Sequence, residues 1–250
     1  MNRIVTAAAA FALTAIAGTA AAAEYSVCAS GCDFATVQGA VDGSAAWDVL
    51  FLEDEVFAES VYVSGPRVIY AEPGAELRGD GAGPVLTVGP AGDLDIEGLA
   101  ITDGGGDAGI INLGSLVLSA CDVRGHDTLY GGILNAGAMQ IVGASVVRAN
   151  QGQYLGGGIS NFGHLLVGNS TVTANQGYLG GGIANSNGTL IVTASSLSLN
   201  HATSLGGAWS NHNLGGTVTF AGSSSTSQNT TGSGSYTVCY DVNNPAACTP

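Results

Sequence analysis

The sequence predicts an all-β fold, a right-handed parallel β-helix (solenoid) with a short N-terminal capping helix. Three observations predict it: a unit repeated at steps of 24 to 26 residues, short apolar-polar alternations within each unit, and 40 glycines among 250 residues. The step is measured between the glycines Gly132, Gly158, Gly182 and Gly207. Alternation with a period of two indicates strands, and a repeat of this length indicates a solenoid with one unit per turn.

The first element is a segment typical of a secretory signal peptide. One positive charge, Arg3, precedes an alanine-rich apolar run from Ile4 to Ala17, and small residues follow up to Ala23. The run is too short for an ordinary membrane-spanning helix and ends in residues that a signal peptidase accepts. We therefore expect cleavage after Ala23, removal of residues 1–23, and a mature chain that is secreted or held at the cell surface, without a transmembrane segment.

Residues 24–48 are expected to form an N-terminal cap. Asp33 is a candidate N-cap of a short helix, and Phe34, Val37 and Val41 would share one face of it. Such a helix would cover the apolar end of the stack, which solenoids have to protect from solvent.

Residues 49–230 are expected to form the β-helix. Each unit has two apolar residues separated by one residue, and these pairs are expected to point into the core. The pairs are Leu116 and Leu118, Met139 and Ile141, Leu165 and Val167, Leu190 and Val192, and Val218 and Phe220. Asparagines recur at Asn150, Asn175 and Asn200, and we expect their amides to stack as hydrogen-bonded ladders.

The residue between the two members of each pair should point outward. These residues are Val117, Gln140, Leu166, Ile191 and Thr219. If the stripe is exposed, it is a lateral contact surface through which Val117, Leu166 and Ile191 would support self-association. If a loop or the C-terminal segment covers it, it is ordinary core.

Residues 231–250 are expected to close the other end of the stack. In an exported protein the cysteine positions favour one disulfide near each end. The predicted pairs are Cys28 with Cys32 and Cys239 with Cys248. The remaining cysteine, Cys121, is interpreted as a small apolar residue buried in a strand.

The charge is strongly negative and unevenly distributed. The net charge is −14, the chain has no lysine, and eighteen of its nineteen acids lie between Glu24 and Asp127. Loss of Arg3 with the signal peptide brings the mature chain to −15. Such a chain repels polyanions, so nucleic acid is excluded as a partner.

Two stretches resemble known families. GCDFATVQGAVDG and the coil that follows it resemble the opening of the pectin-lyase-like superfamily, in which a capping helix precedes a first coil ending in a Y-x-E type turn, here Phe57-Ala58-Glu59. The GGGISN and GGGIAN units resemble the repeats of polymorphic outer-membrane proteins. The resemblance implies a parallel β-helix. Pectate lyases of this superfamily use calcium-binding acids and an arginine or lysine base.

An acidic stretch is the first candidate site. Equivalent positions on neighbouring coils lie about 4.8 Å apart, so Asp103 or Asp107 could approach Asp122 or Asp127 and hold calcium. If the protein is an enzyme, the candidate catalytic residues are Asp122, Arg124, His126 and Asp127. The alternative is that aspartates beside glycines are solvated turn residues.

Aromatic residues form the second candidate site. Tyr130, Tyr154 and Tyr178 recur beside the glycine-rich turn, and Trp209 lies in the last unit. Aromatic faces on an uncharged polar surface could stack on sugar rings. The alternative is that the tyrosines stack on one another between coils.

These features favour a non-catalytic exported protein that acts in adhesion or binds an extracellular glycan or other cell-surface component. The alternative function is a calcium-dependent, pectate-lyase-like enzyme acting on an extracellular polysaccharide. The scarcity of arginine and the absence of lysine disfavour an acidic substrate.

Overall fold

The computed structural model describes residues 21–213, 215–232, 238–244 and 248. The predicted signal peptide therefore lies outside the described residues, except for residues 21–23. The described strands form four sheets, and all of their pairings are parallel. The predicted all-β parallel β-helix with one short helix is confirmed.

Each sheet follows the stack in chain order. Sheet 1 contains Glu24–Val27, Val49–Leu52, Pro66–Ala71, Asp93–Glu97, Ser115–Ser119, Ala138–Val142, His164–Gly168, Thr189–Thr193 and Thr217–Ala221. Sheet 2 contains Val56–Ala58, Glu76–Arg78, Ala100–Thr102, Asp122–Arg124, Val146–Arg148, Thr171–Thr173, Ser196–Ser198 and Ser225–Ser227. Sheet 3 contains Val61–Val63, Leu86–Val88, Ile110–Asn112, Ile133–Asn135, Ile159–Asn161, Ile183–Asn185, Trp209–Asn211 and Cys239–Asp241. Sheet 4 contains Asp127–Thr128, Gln151–Gly152, Gln176–Leu179, His201–Leu205 and Thr230–Thr231. A complete coil visits sheets 1, 2, 4 and 3 in turn.

The core is built from the predicted inward pairs of sheet 1. Leu116 lies opposite Met139 and Leu118 opposite Ile141, and all four side chains are buried. Stacking the same apolar position on every coil gives a continuous interior, because each coil covers the apolar residues of its neighbours. Phe220, in the last strand of sheet 1, keeps the register but is 37% exposed.

Two ladders of asparagine side chains run through the interior. The first consists of Asn112, Asn135, Asn161, Asn185 and Asn211, in which each Nδ2 donates to the Oδ1 of the next residue at 2.7 to 3.0 Å, and the last donates to Asp241. The second consists of Asn150, Asn175, Asn200 and Asn229, with distances of 3.0 to 3.1 Å. The predicted stacking of the recurring asparagines is confirmed. The bonds satisfy amides that would otherwise be costly to bury.

The capping helix begins later than predicted. It spans Val37–Gly43, and the Thr36 hydroxyl caps it by accepting a hydrogen bond from the Gly39 N–H at 3.0 Å. The prediction that Asp33 is the N-cap was wrong. Its carboxylate instead accepts hydrogen bonds from the backbone N–H and the hydroxyl of Ser26, both at 2.8 Å.

Glu59 ties the helix to the first coil. Its two carboxylate oxygens accept hydrogen bonds from the N–H groups of Val37 and Gln38, at 2.8 and 2.9 Å. These N–H groups belong to the first helical turn and have no partner within the helix. The helix then buries Val37 and Val41 against the end of the core.

Both ends of the stack carry the predicted disulfides. Cys28 is bonded to Cys32, and Cys239 is bonded to Cys248. The flanking segments also contribute strands, since Glu24–Val27 joins sheet 1 and Cys239–Asp241 joins sheet 3. Among the described residues, no helix has the length and apolarity needed to cross a membrane.

Candidate functional site

Arginines hold two of the four aspartates proposed as calcium ligands. Asp122, on the outer face of sheet 2, accepts hydrogen bonds from Nε and Nη2 of Arg148 at 3.0 and 2.8 Å. Asp103 lies 3.6 Å from Nε of Arg78. These two aspartates are therefore paired with guanidinium groups rather than with each other.

The other two aspartates are exposed and lie elsewhere. Asp107 is in the glycine-rich loop at residues 103–109, and Asp127 begins sheet 4, where it accepts a hydrogen bond from Gln153 at 3.4 Å. In the part of the chain that the structure describes, no three His, Cys, Asp or Glu side chains are grouped so that they could hold a metal ion. The calcium site stays a prediction without an assembled ligand set.

A network of ion pairs lies on the outer face of sheet 2. Glu76, largely buried, accepts hydrogen bonds from Thr102 at 2.9 Å, from Arg78 at 2.6 Å and from Arg124 at 3.1 Å. Burial raises the pKa of Glu76, but the hydrogen bonds from Thr102 and Arg78 and the charges of the two arginines outweigh it and lower the pKa overall. Arg124, a candidate catalytic residue, is therefore a structural partner of Glu76.

His126 lies in the interior and does not reach solvent. Only 1% of it is exposed. Nδ1 accepts a hydrogen bond from the backbone N–H of Gly104 at 2.8 Å, and Nε2 lies 3.1 Å from the carbonyl oxygen of Ile101, to which it donates. Burial lowers the pKa of His126 to about 4. The neutral ring thus serves as a packing and hydrogen-bonding residue.

His126 takes the position that asparagine takes on later coils. Its backbone N–H donates to Asn150 Oδ1 at 3.1 Å, as the N–H of Asn150 donates to Asn175. The Nε2 contact with a strand carbonyl likewise corresponds to the bond from Asn150 Nδ2 to the Val123 carbonyl. His126 is therefore the N-terminal end of the second ladder.

Cys121 has a similar place in a row of buried serines. Its backbone N–H donates to the Ser145 hydroxyl at 3.1 Å, and its thiol lies 3.3 Å from the Ser119 carbonyl oxygen. Ser145 makes the same kind of bond, donating to the carbonyl of Val142. Burial raises the pKa of the Cys121 thiol to about 11. The predicted burial is confirmed, although Cys121 lies immediately before the strand Asp122–Arg124 and not within a strand, and the thiol takes the place of a serine hydroxyl.

Two of the predicted tyrosines meet on the surface. The ring centroids of Tyr130 and Tyr154 are 5.9 Å apart in an edge-to-face arrangement, and Tyr130 packs in the same way on Phe162 at 6.2 Å. Tyr154 is 62% exposed and Phe162 is 38% exposed. We refer to Tyr130, Tyr154 and Phe162 as the aromatic cluster.

Tight glycine turns hold the cluster in place. The chain between sheets 4 and 3 folds back closely, and a Cβ atom at Gly157 would overlap the backbone of Gln176 and Gly181 in the next coil. The turn also places the Ser160 hydroxyl against the carbonyl oxygen of Tyr130, to which it donates at 2.8 Å. The cluster therefore stands on a backbone that is fixed by hydrogen bonds and close packing.

The other two predicted aromatic residues lie outside the cluster. Tyr178 is half-exposed, and it has no ring contact among the described residues. Trp209 is only 6% exposed and packs on Phe220 at 5.4 Å. It lies opposite Ile183, so the tryptophan fills an inward isoleucine position and cannot present its face to a ligand.

The predicted outward stripe lies on the outer face of sheet 1. Register places Val117 opposite Gln140, then Leu166, Ile191 and Thr219 on successive strands. Val117, Leu166 and Ile191 line an open groove of about 290 Å³, together with Gln140 and His164. The outward orientation is confirmed, and self-association through this face stays a prediction.

Comparison with models of known protein families gave no match, and comparison with curated proteins gave none. The parallel β-helix rests on the structure alone. Membership of the pectin-lyase-like superfamily, or kinship with polymorphic outer-membrane proteins, remains a resemblance.

Proposed function

We propose that this chain is an exported, non-catalytic β-helix protein that binds an extracellular glycan through the aromatic cluster. The observation that carries the proposal is the exposure of Tyr154 beside Tyr130 and Phe162 on a rigid backbone. Tyrosine combines a large apolar face with a hydroxyl that can hydrogen-bond, which suits a sugar ring with its C–H face and hydroxyl rim. A preformed platform also avoids the entropy cost of ordering loops on binding.

The surroundings of the cluster support a glycan as ligand. The outward column of sheet 4 next to it runs from Asp127 through Gln151 and Gln176. The two glutamines are exposed and uncharged, and their amides can donate to and accept from sugar hydroxyls. The platform and the amide column together offer the mixture of apolar and polar contacts that ligand sites typically use.

The rival function, calcium-dependent cleavage of a polysaccharide, draws less support. Asp122 is held by Arg148, Arg124 by Glu76, and His126 is buried. A general acid or base needs to reach the proton that it transfers. Asp122 and Arg124 are instead engaged in ion pairs and His126 lies in the core, so only Asp127 of the four candidate catalytic residues faces solvent.

A glycan array tests the proposal. The mature chain should retain a defined set of glycans, and Tyr154→Ala should reduce binding about tenfold, the loss expected when one stacked aromatic ring is removed. Tyr62→Ala is the matched control, because Tyr62 is 51% exposed on sheet 3 but lies outside the cluster. Absence of binding to every glycan, or equal effects of the two variants, would overturn the proposal.

The rival has its own assay. Incubation with uronate polymers and calcium, followed by ultraviolet detection of unsaturated ends, should show no product. Product that disappears on Asp122→Ala would establish the enzyme instead.

A further inference from the structure

We propose that the glycan bound at the aromatic cluster carries free, protonated amino groups. This inference rests on the proposed function and names the class of its ligand.

An acidic residue, Asp107, lies next to the cluster on the preceding coil. The backbone N–H of Tyr130 donates to the carbonyl oxygen of Asp107 at 2.8 Å, so the two residues are neighbours across the coil boundary. Asp107 is exposed. The backbone N–H of Tyr154 donates to the carbonyl oxygen of Leu129, the neighbour of Tyr130, at 2.9 Å. Asp107, Tyr130 and Tyr154 therefore lie on three successive coils.

The loop that carries Asp107 is held firmly. Gly104 donates to His126 at 2.8 Å, Gly105 donates to the Gly83 carbonyl at 2.9 Å, and Leu129 donates to the Gly106 carbonyl at 3.0 Å. A Cβ atom at Gly109 would overlap the His126 ring. The position of Asp107 relative to Tyr130 is therefore fixed, which is a requirement for selective recognition of a charged group.

The described positive charges are all engaged away from the cluster. Arg78 and Arg124 are paired with Glu76, and Arg148 is paired with Asp122, on sheet 2. Arg67 donates to backbone carbonyls near the capping helix. Asp107 is thus exposed, and the described arginines are all engaged elsewhere, in a chain with a net charge of −14. The electrostatic field of this negative charge attracts cations and repels acidic polymers.

An amino sugar complements both parts of this surface. Its ring can stack on Tyr154, and its ammonium group can lie over an aromatic face, as cations do, or pair with Asp107. A neutral sugar would use the ring face alone, and an acidic sugar would approach against the field. A basic peptide would share the charge but would not require the exposed Tyr154 face.

The test compares two oligomers of glucosamine, one fully deacetylated and one fully N-acetylated, by calorimetry with the mature chain at about pH 6, below the usual range of an amino group. We expect tighter binding of the deacetylated oligomer, and weakening of this preference by added salt, which screens exposed charges. Asp107→Asn should lower affinity for the deacetylated oligomer by about two- to fivefold, the size of one exposed ion pair, and leave the acetylated oligomer unchanged. Asp95→Asn is the control, because it removes the same charge from the outer face of sheet 1.

Each outcome separates the two proposals. Equal binding of the two oligomers, with no effect of Asp107→Asn, overturns the amino-sugar inference and leaves glycan binding standing. If neither oligomer binds but another glycan without amino groups does, and Tyr154→Ala weakens that binding, the amino-sugar inference is likewise overturned and glycan binding stands. No binding of any glycan overturns both proposals. Binding of oligolysine as tight as that of the amino sugar, and insensitive to Tyr154→Ala, identifies mere charge attraction and also overturns the inference.

Discussion

The backbone N–H of Gly104 donates to Nδ1 of His126 at 2.8 Å inside the β-helix. This bond requires Nδ1 to be unprotonated. The pKa of His126 is lowered to about 4, chiefly by burial, with the nearby Asp103 charge opposing the shift. The neutral imidazole therefore fixes the start of the glycine-rich loop.

Acidification should destabilise the protein through His126. In the unfolded chain a histidine titrates near pH 6.5. Between that value and about 4, the unfolded state binds the extra proton, so the free energy of unfolding falls as the pH is lowered, by on the order of 3 kcal/mol in total. Urea unfolding at about pH 7 and about pH 4.5 measures the slope, and His126→Asn should reduce it because asparagine suits this ladder position. An unchanged slope in His126→Asn, or an equal reduction in the exposed control His164→Asn, would count against this role.

Interrupting the second asparagine ladder should be costly. Asn175 Oδ1 accepts from the backbone and side chain of Asn150, and Nδ2 donates to Val147 and Asn200. Asn175→Ala leaves several of these buried groups unpaired and should lower the free energy of unfolding by about 2–4 kcal/mol. Chemical denaturation measures the change. The exposed neighbour variant Gln176→Ala should stay within about 0.5 kcal/mol, and equal losses would refute a special contribution of the ladder.

Removing the Glu59 carboxylate should loosen the cap. Glu59→Ala deprives Val37 and Gln38 of their acceptors and should cost about 1 kcal/mol. Hydrogen exchange at residues 37–43 should speed up, while the central coils keep their protection. The exposed Glu72 supplies the control variant Glu72→Ala, and equal exchange in both variants would contradict the capping role.

Cys121 should behave as a buried serine. Its thiol pKa is raised to about 11 by burial, and reaction with a disulfide reagent requires an accessible thiolate. Labelling of the native protein should therefore be slow and should accelerate on unfolding. Cys121→Ser should change stability by less than about 1.5 kcal/mol, since it keeps the bonds of the serine row. Rapid labelling of the folded protein would disprove the assignment.

The repetitive part of the fold could be predicted because its cause is local. Alternation in each unit decides which residues face the core, and the spacing of Asn150, Asn175 and Asn200 indicates the ladder. His126 lies 24 residues before Asn150, a step typical of the repeat, so its position in the ladder could also have been predicted from the sequence. Trp209 could have been placed in the core by aligning Trp-Ser-Asn with Ile-Ala-Asn.

The irregular contacts could not be predicted in this way. The bond of Arg124 to Glu76 depends on a long side chain that reaches across two coils, from a residue 48 positions away in the sequence. Thr36 rather than Asp33 caps the helix because Asp33 meets Ser26 seven residues earlier, a contact set by the path of the chain and not by a motif. The aromatic cluster depends on how the glycine turns fold back, which brings Tyr130 to Phe162 and leaves Tyr178 apart.

The asparagine ladders make the protein modular in length. Each amide touches only the coils before and after it, so the stability of such a stack is close to a sum over neighbours. Deletion of residues 151–175 would place Asn150 where Asn175 now lies. Asn150 would then donate to Asn200, and the ladder would continue with one bond fewer. Evolution can therefore lengthen or shorten this molecule by whole units. A second copy of residues 151–175 would add another Tyr154 and another Phe162 to the chain, and several linked sites can raise the overall affinity for a repetitive ligand.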